Sequence, residues 1–307
     1  MISVVIPLYN KADFIVKTIE SVLSQTFQDF EIVVVNDGST DGSVEAVEAI
    51  ADNRIRIIHQ ENAGVSVARN NGIEHAKFEW VALLDGDDIW KPEYLQTQWD
   101  LHLKYPECDV CACNYEFCDY TGKVTPTKIN KLPFDGDDGV LTNYFEVASC
   151  SHPPIWSSAV MAKREAFLSV GGFPVGVTSG EDLLTWARLA VKYKIAYSCS
   201  SLAIYNMGIG YDFKNPPPRS QDPIDYVGQG LLELFRNNKH IKWIRTYYGL
   251  WCKMRASVAI RLYNRSEAIT QSLKSLKSNP LNVKVFGFII LSLMPKFIIK
   301  HVLFKYK

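Results

Sequence analysis

No apolar segment near the C-terminus is long enough to carry the chain across a bilayer. After Lys239 the longest stretch without a charged residue covers only residues 285–295, whereas a membrane-spanning helix needs about 20 apolar residues. The first residues lack a basic segment, an apolar core and a cleavage site, so we expect no secretion signal and a cytoplasmic protein. No nucleic-acid recognition module can be identified, so nucleic acid is not an expected partner.

Acidic residues are nearly missing from the C-terminal region. From Lys239 onward the chain has 14 Lys or Arg residues and one acid, Glu267, although the whole chain holds 33 of each sign. The part before Lys239 therefore carries a charge of about −13 and the tail about +13. A basic segment that also bears aromatic residues is typical of a peripheral anchor on an anionic membrane surface, and the alternative is a helix that only caps the domain. The aromatic residues are Phe286, Phe288, Phe297 and Phe304.

The seven cysteines do not show the spacing of a disulfide-stapled scaffold, so we expect free thiols in a reducing compartment. Four of them, at positions 108, 111, 113 and 118, lie close enough in sequence to suggest a zinc site. Residues 109–115 are typical of a strand, however, in which Cys108 and Cys111 would face opposite ways. The pattern therefore disfavours zinc.

Strand and helix patterns alternate four times within the first ninety residues. With 47% hydrophobic residues in a chain of 307, this predicts an α/β fold of one large domain or two smaller ones. Such alternation is typical of a mostly parallel sheet flanked by helices. The predicted strands cover residues 2–6, 30–35, 55–58 and 80–84, and the predicted helices cover 14–23, 44–50, 65–76 and 92–104.

Two acidic loops follow the second and fourth predicted strands. Asp37 comes soon after Val35, and Asp85-Gly86-Asp87-Asp88 follows Leu84 directly. In parallel sheets ligands bind beyond the carboxyl ends of the strands, and hard cations such as Mg²⁺ or Mn²⁺ are held by one or two carboxylates plus phosphate oxygens. The loops predict a metal and phosphate site, and an ordinary acidic turn is the alternative, since Asp-Gly is common in turns.

Two other acidic stretches have different interpretations. Residues 37–42 with Glu48 resemble a calcium EF-hand loop, but an EF-hand needs a helix before the loop, and Ile32-Val33-Val34-Val35 is β-branched strand sequence. Calcium is therefore disfavoured. The cluster Asp135-Gly136-Asp137-Asp138 follows Pro133-Phe134 rather than an apolar strand, and we predict a surface turn there.

A further acidic pair, Glu181-Asp182, begins a predicted helix about a hundred residues after the acidic loops. Acids in a first helical turn stabilise the helix by about 0.3–1 kcal/mol, which would explain the pair without any function. The pair gains a second explanation if the helix points at the metal site. Around it we predict strands at 155–161 and 195–205, a helix at 163–170, and C-terminal helices at 226–235, 241–262, 267–276 and within 283–304.

Taken with the Pro216-Pro217-Pro218 break, these patterns divide the chain in two. Residues 1–220 form one predicted domain with two parts, 1–105 and 106–220. Residues 221–307 form a helical, basic region.

Six short motifs occur in order along the chain, and through them the first 210 residues resemble the family-2 inverting glycosyltransferases of the GT-A fold. Each motif alone is weakly specific, and the six in order are specific. The motifs are Val4-Val5-Ile6-Pro7-Leu8-Tyr9-Asn10, Val35-Asn36-Asp37-Gly38-Ser39-Thr40-Asp41, Asn62-Ala63-Gly64 with Ala68-Arg69-Asn70, Asp85-Gly86-Asp87-Asp88, Gly171-Gly172-Phe173, and Glu181-Asp182 with Arg188.

The resemblance implies a role for each motif. The chemistry agrees with these roles, because transfer from a nucleoside diphosphate needs a cation to neutralise the leaving group and a carboxylate near the incoming hydroxyl. Inversion in one displacement places that carboxylate on the opposite face of the sugar, so a second acidic site is required. By resemblance, Pro7, Tyr9 and Asp37 hold the base, Asn62 and Arg69 close over base and phosphates, Asp85 contacts the ribose with Gly86 beside it in the nucleotide-sugar site, Asp87 ligates Mn²⁺ or Mg²⁺, and Asp182 is the catalytic base.

The resemblance also implies that residues 1–220 are a catalytic domain, with a nucleotide-binding half at 1–105 and an acceptor half at 106–220. We expect acceptor recognition from residues 114–154 and 207–219, although neither segment shows chemistry that identifies the acceptor.

The family's processive synthases carry a Gln-x-x-Arg-Trp motif, which this chain lacks. The resemblance therefore implies the addition of a single sugar, from a UDP-sugar to a lipid-linked or cell-envelope glycan, on the inner face of the cell membrane. One alternative is a sugar-1-phosphate nucleotidyltransferase. Such an enzyme would be expected to have a Gly-rich phosphate loop where this chain has Pro7-Leu8-Tyr9-Asn10. Another is a membrane scaffold that binds nucleotide sugars or carbohydrate without turnover, which the intact acidic set disfavours.

Overall fold

A computed structural model describes residues 1–207 and 221–304. Within these residues there is one ten-stranded sheet, and helices cover both of its faces. The Pro216-Pro217-Pro218 break and nearly all of the predicted acceptor segment 207–219 lie outside the described residues. The strands are β1 Ile2–Leu8, β2 Phe30–Asp37, β3 Ile55–Gln60, β4 Trp80–Leu83, β5 Ile89–Trp90, β6 Val110–Cys118, β7 Val124–Pro126, β8 Asp138–Val140, β9 Val160–Lys163 and β10 Ile195–Asn206.

The helices follow the strands in the order that the sequence predicts. Each predicted helix is found, with ends that differ by a few residues. The predicted helix within 283–304 is divided into two. The helices are α1 Ile15–Leu23, α2 Ser43–Glu48, α3 Val65–His75, α4 Tyr94–Lys104, α5 Tyr144–Cys150, α6 Arg164–Ser169, α7 Glu181–Lys192, α8 Tyr226–Asn237, α9 Ile244–Arg261, α10 Arg265–Ser278, α11 Lys284–Leu293 and α12 Lys296–Phe304.

The first four long strands form a parallel half-sheet in the order β3-β2-β1-β4. Strands β1, β2 and β4 are mostly apolar and almost fully buried, as expected where helices cover both faces of a parallel sheet, whereas the edge strand β3 carries polar residues and is partly exposed. At the centre Val5 pairs with Val33 on one side and with Leu83 on the other, and all three side chains are buried. The predicted parallel sheet is confirmed for this half, and the carboxyl ends of β1, β2 and β4 lie side by side.

The other half of the sheet mixes strand directions. From β4 the order continues β9-β6-β10-β5, and β9 runs antiparallel to both β4 and β6. The predicted strand at 155–161 is largely wrong, because Ser157–Ala159 form a 3₁₀ turn and the strand begins only at Val160. The Ser158 hydroxyl bonds the loop after β4, which keeps this stretch out of the sheet ladder.

Helix α3 approaches the parallel half-sheet closely because Gly72 has no side chain. A Cβ at this position would lie 2.3 Å from the Cγ1 of Val5, far inside a normal contact distance. The close packing fixes α3 over β1 and β2. It thereby fixes Arg69, which lies one turn earlier on the same helix and reaches toward the end of the sheet.

The C-terminal helices contact the catalytic domain in two ways. Helices α8 and α9 contribute buried side chains to the large core of the sheet, among them Leu231 and Trp251. Helices α10 to α12 instead share a small apolar cluster with the end of α9. Among the described helices, none is long and apolar enough to cross a membrane. The domain boundary at residue 220 stays a prediction.

All seven cysteines are free thiols. Cys108, Cys111 and Cys113 are buried in the core around β6, where burial raises the pKa of the Cys108 thiol to about 11 and that of Cys113 to about 12. Thiols that resist ionisation are poor metal ligands, because metals bind the thiolate.

Candidate active site

A cleft of about 500 Å³ opens at the carboxyl ends of β1, β2 and β4. Strand ends, the loops after them and the start of α3 form its walls. Eight residues predicted from the sequence meet there, although they are spread over eighty positions of the chain. They are Pro7, Tyr9, Asp37, Asn62, Arg69, Asp85, Gly86 and Asp87. Of the predicted site residues that the structure describes, Asp182 does not line this cleft.

One wall of the cleft is built around Asp37. Its buried carboxylate accepts hydrogen bonds from the backbone N–H groups of Ala63 (2.8 Å) and Gly64 (2.9 Å) and from the Gln60 amide (2.7 Å). Asn62 completes the turn by donating to the Asp37 carbonyl (2.9 Å). Asp37 thus shapes the loop before α3, and its contact with a nucleotide base stays a prediction.

Tyr9 stands at the mouth of the cleft just after β1. The residue is 49% exposed. An exposed aromatic face next to a cleft is well suited to stacking on a planar base. The position agrees with the base-binding role that the sequence predicts for Pro7 and Tyr9.

Arg69 joins the two acidic sites of the chain. One guanidinium nitrogen lies 2.7 Å from an Asp85 oxygen, and the other lies 3.2 Å from an oxygen of Glu181 at the start of α7. The guanidinium also lies 5.0 Å from the centre of the Phe173 ring. Burial disfavours the charge, but the charges of Asp85 and Glu181 outweigh burial and raise the pKa of Arg69. Acids 96 positions apart in sequence are therefore held at one place by a single buried cation.

The loop after β4 packs closely against β1 at Gly86, where a side chain would be crowded. A Cβ there would lie 3.0 Å from the carbonyl oxygen of Pro7. This close approach places Asp85 on the Arg69 side of the cleft and Asp87 on the side of the β1 loop. The two carboxylates therefore face different parts of any bound ligand.

Asp88, which the sequence left without a role, faces into the protein. Its carboxylate accepts hydrogen bonds from the Ser158 hydroxyl (2.5 Å) and from the backbone N–H of Asn206 at the end of β10 (2.9 Å). Burial first, and then the charges of Asp85 and Asp87, raise the pKa of Asp88 well above its usual range. Asp88 braces the loop and ties it to the far half of the sheet.

Asp87 points into the cleft and pairs with Lys11. The Lys11 Nζ lies 2.5 Å from its Oδ2, and both side chains are partly exposed. In the described residues no group of three or more His, Cys, Asp or Glu side chains could hold a metal by itself. A hard cation shared between one or two carboxylates and a diphosphate needs only such a small protein contribution, so the oxygen donors of this loop fit Mn²⁺ or Mg²⁺.

Asp182 lies in the first turn of α7, one residue beyond the Arg69 partner Glu181. The helix begins after Gly180, which adopts φ +86 and packs so closely on Trp251 of α9 that a Cβ would lie 2.4 Å from its ring. Burial and then the charge of Glu181 raise the pKa of Asp182 to about 7, although Arg69 opposes the rise. A carboxyl group with a pKa near 7 is suited to accept a proton at neutral pH.

Sequence reasoning missed several residues of the site. Lys11 and Tyr205 line the cleft, and Ser158 holds the loop after β4. Lys11 follows the Pro7-Leu8-Tyr9-Asn10 motif directly, so its place in the chain was a usable signal. Tyr205 reaches the site from β10 and Ser158 from the 3₁₀ turn before β9, and nothing in the local sequence marks either residue.

Residues 3–157 match the family model described as Glycosyl transferase family 2. The uncharacterized glycosyltransferase YibD of Escherichia coli is 44% identical over 119 residues, which cover 38% of this chain and 34% of that protein. An uncharacterized glycosyltransferase of Rickettsia bellii is 29% identical over 235 residues, covering 75% of this chain and 32% of that protein. The chain thus spans about a third of the length of these relatives.

Solved structures with the same fold include two with bound donors. TarS 1–349 of S. aureus, in complex with UDP-GlcNAc, has a TM-score of 0.64 and 20% identity, covering 95% of this chain and 81% of that one. The mannosyltransferase PcManGT of Pyrobaculum calidifontis, in complex with GDP-Man and Mn²⁺, has a TM-score of 0.58 and 19% identity, covering 99% and 84%. At such identities the likeness establishes the GT-A fold alone.

Proposed function

Because the chain belongs to glycosyl transferase family 2, we propose that it transfers one sugar from a UDP-sugar to a lipid-linked or cell-envelope glycan, with inversion and with Mn²⁺ or Mg²⁺. The observation that carries the proposal is the Arg69 bridge, which brings the acids at the end of β4 and at the start of α7 to one site. Inverting transfer needs acids on two sides of the reacting carbon, and we propose that these two acidic sites take those roles.

The two acidic sites have different roles in the proposed reaction. The acceptor hydroxyl attacks the anomeric carbon, the bond from that carbon to the diphosphate breaks, and Asp182 takes the hydroxyl proton. Asp87 would hold the cation, which supplies charge neutralisation for the departing diphosphate. Tyr9 stacks on the base, while Asp37 and Asn62 keep the wall of the cleft in shape for it.

The uridine donor is proposed from the cleft and from one structural neighbour. The cleft offers an exposed aromatic face, backbone groups near Asp37 and a size of about 500 Å³, which falls within the usual range for a small-molecule site. The TarS structure is a complex with UDP-GlcNAc, whereas the PcManGT structure is a complex with GDP-Man. A hexose or N-acetylhexosamine on UDP is therefore the donor class that we propose.

A panel of UDP- and GDP-sugars, each incubated with the protein and Mn²⁺, tests this proposal. We expect metal-stimulated hydrolysis of at least one UDP-sugar, because water replaces the acceptor at a formed active site, and no comparable hydrolysis of GDP-sugars. Released nucleotide is measured by chromatography, with EDTA as the control. Binding of UDP with Mn²⁺ but no turnover of any sugar would favour a non-catalytic binding protein instead.

We also propose that the C-terminal helices hold the protein on the cytoplasmic face of an anionic membrane. Phe286, Ile290 and Leu293 lie at positions i, i+4 and i+7 of α11, which places them on one face, and each is 52–64% exposed. Phe297 of α12 adds a ring that is 72% exposed. Exposed lysines flank this apolar face at positions 284, 296 and 300, and these are the components of an interfacial helix.

Replacing Phe286, Ile290 and Leu293 with serine should release the protein from phosphatidylglycerol vesicles. We expect the partition coefficient to fall at least about tenfold, since three apolar side chains no longer enter the interface. Sedimentation with vesicles measures the partition, and a chain ending at residue 280 should behave in the same way. Leu103→Ser, at a residue 63% exposed on α4, is the matched control. Equal partitioning of the triple variant and the wild type would refute the anchor.

A further inference from the structure

The ammonium group of Lys11 forms an ion pair with the carboxylate of Asp87, which is the carboxylate that would hold the cation. Its Nζ lies 2.5 Å from the Asp87 Oδ2, and both residues line the donor cleft. We propose that Lys11 and the divalent cation compete for Asp87, and that Lys11, once displaced, binds the diphosphate of the donor. This inference rests on the proposed function, and it adds a positioning residue that makes cation binding depend on the donor.

The backbone at Lys11 is fixed, so the exchange needs only a movement of the side chain. The Lys11 N–H donates to the Ser43 hydroxyl (2.8 Å), and the next N–H donates to the Asp41 carboxylate (3.0 Å). Asn10 adopts a left-handed φ of +51, which turns the chain out of β1 into this loop. The Lys11 side chain is nevertheless 37% exposed, so its four-carbon stem can swing away from Asp87.

The other cation of the cleft is not free to make the same movement. Arg69 is only 5% exposed and is held by Asp85 and Glu181 at the same time. Of the described residues that line the cleft, Lys11 and Arg69 are the positively charged ones. A mobile ammonium beside a fixed guanidinium leaves Lys11 as the group that can respond to an arriving diphosphate.

Electrostatics favours the exchange only when donor and cation arrive together. While Lys11 is paired with Asp87, the charge of the carboxylate is already neutralised. A divalent cation is then attracted less strongly and is also repelled by the nearby ammonium group. A diphosphate offers the ammonium a stronger anionic partner, since lysine binds phosphate as a point charge. The movement of Lys11 then frees Asp87 for the cation. Because such coupling is reciprocal, UDP must tighten Mn²⁺ binding by the same factor as Mn²⁺ tightens UDP binding.

The test compares Lys11→Gln with the wild type in two binding measurements that involve no turnover. Titration with Mn²⁺ alone, followed by electron paramagnetic resonance of the free ion, should show an affinity about five to thirty times higher in the variant, because a competing charge is gone. Calorimetry with UDP in EDTA should show binding weakened about tenfold, because an ammonium–phosphate contact is lost. A general disturbance of the site would lower both affinities, whereas the inference requires opposite changes.

Lys91→Gln is the matched control. Lys91 pairs with Glu116 at 2.8 Å, and the exposures of this pair, 35% and 18%, resemble the 37% and 22% of Lys11 and Asp87. Lys91 does not line the cleft, so we expect wild-type affinities for both probes. Lys11→Arg keeps the positive charge, and it should therefore retain weak Mn²⁺ binding in the absence of nucleotide.

The outcomes separate this inference from the function on which it rests. Unchanged or weaker Mn²⁺ binding in Lys11→Gln would overturn the competition, and unchanged UDP binding in EDTA would overturn the transfer of Lys11 to the diphosphate. In both cases the proposed function would still hold as long as the wild-type protein binds UDP in the presence of Mn²⁺. A wild type that binds neither probe would refute the donor site itself.

Discussion

Replacing Asp182 with asparagine should lower the transfer rate at least about a hundredfold while UDP binding stays at the wild-type level. Asparagine has nearly the same shape but cannot accept the proton of the acceptor hydroxyl, and general-base catalysis contributes about 10²–10⁴-fold. The donor cleft is lined by other residues, so its affinity for UDP should not change. Steady-state kinetics with the best donor, together with calorimetry for UDP, measures the two effects separately.

The control for this substitution tests whether Asp182 only stabilises the start of its helix. If Asp182 only stabilised the N-terminus of α7, its loss would resemble the loss of any acid in a first helical turn. Glu165 is such an acid, exposed in the first turn of α6. Glu165→Gln should therefore keep full activity. Retained turnover in Asp182→Asn would move the base to Glu181 or to another residue.

The pH profile gives a second measure of the same role. Burial and the charge of Glu181 raise the pKa of Asp182 to about 7, and a base acts only in its ionised form. The value of kcat/KM should therefore rise with pH, reach half of its maximum near pH 7 and level off at higher pH. Removing the negative charge in Glu181→Gln makes ionisation of Asp182 easier, so the half-maximal point should move to lower pH. A profile that does not move would argue against Asp182 as the titrating group.

Local pattern was sufficient for the first half of the fold because each element there contains its own signal. Strands β1, β2 and β4 are mostly apolar, and α1 repeats apolar residues at three and four positions. The interval 155–161 shows where this signal fails. Its composition suits a strand, but Ser158 bonds Asp85 and Asp88 some seventy positions away, and these bonds override the local preference.

The order of the far strands could not be predicted either, because it depends on pairing rather than on pattern. β9 lies antiparallel between β4 and β6, although eighty residues separate β4 from β9 in the chain. A short strand of four residues does not specify which neighbours it will join. The same limit applies to the acceptor half, where the elements are recognisable from the sequence but their arrangement around the site is not.

The sequence predicted which residues lie together in the site, and the structure adds which of them form ion pairs with each other. The motifs placed Asp37, Asp85 and Asp87 at neighbouring strand ends, and all three line one cleft. The partners of these acids were not predictable, because Lys11–Asp87 and Arg69–Glu181 are contacts between distant elements. Arg69 was expected at the phosphates, yet it also links the nucleotide-binding half of the chain to the helix that carries Asp182. That link makes the spacing of the two acidic sites depend on one buried side chain.

Replacing Asp87 with alanine should abolish metal-stimulated donor hydrolysis and lower sugar transfer by about 10²–10³-fold. The expected size follows from the several kcal/mol that a bound cation contributes to stabilising a charged leaving group. Asp137→Ala is a chemically matched control, because Asp137 holds the same place in Asp135-Gly136-Asp137-Asp138 as Asp87 holds in its loop, but is exposed on the surface. Mn²⁺ titration in the presence of UDP, combined with the hydrolysis assay, should show loss of both signals in Asp87→Ala and of neither in Asp137→Ala. Full activity of Asp87→Ala would instead refute Asp87 as the residue that holds the cation.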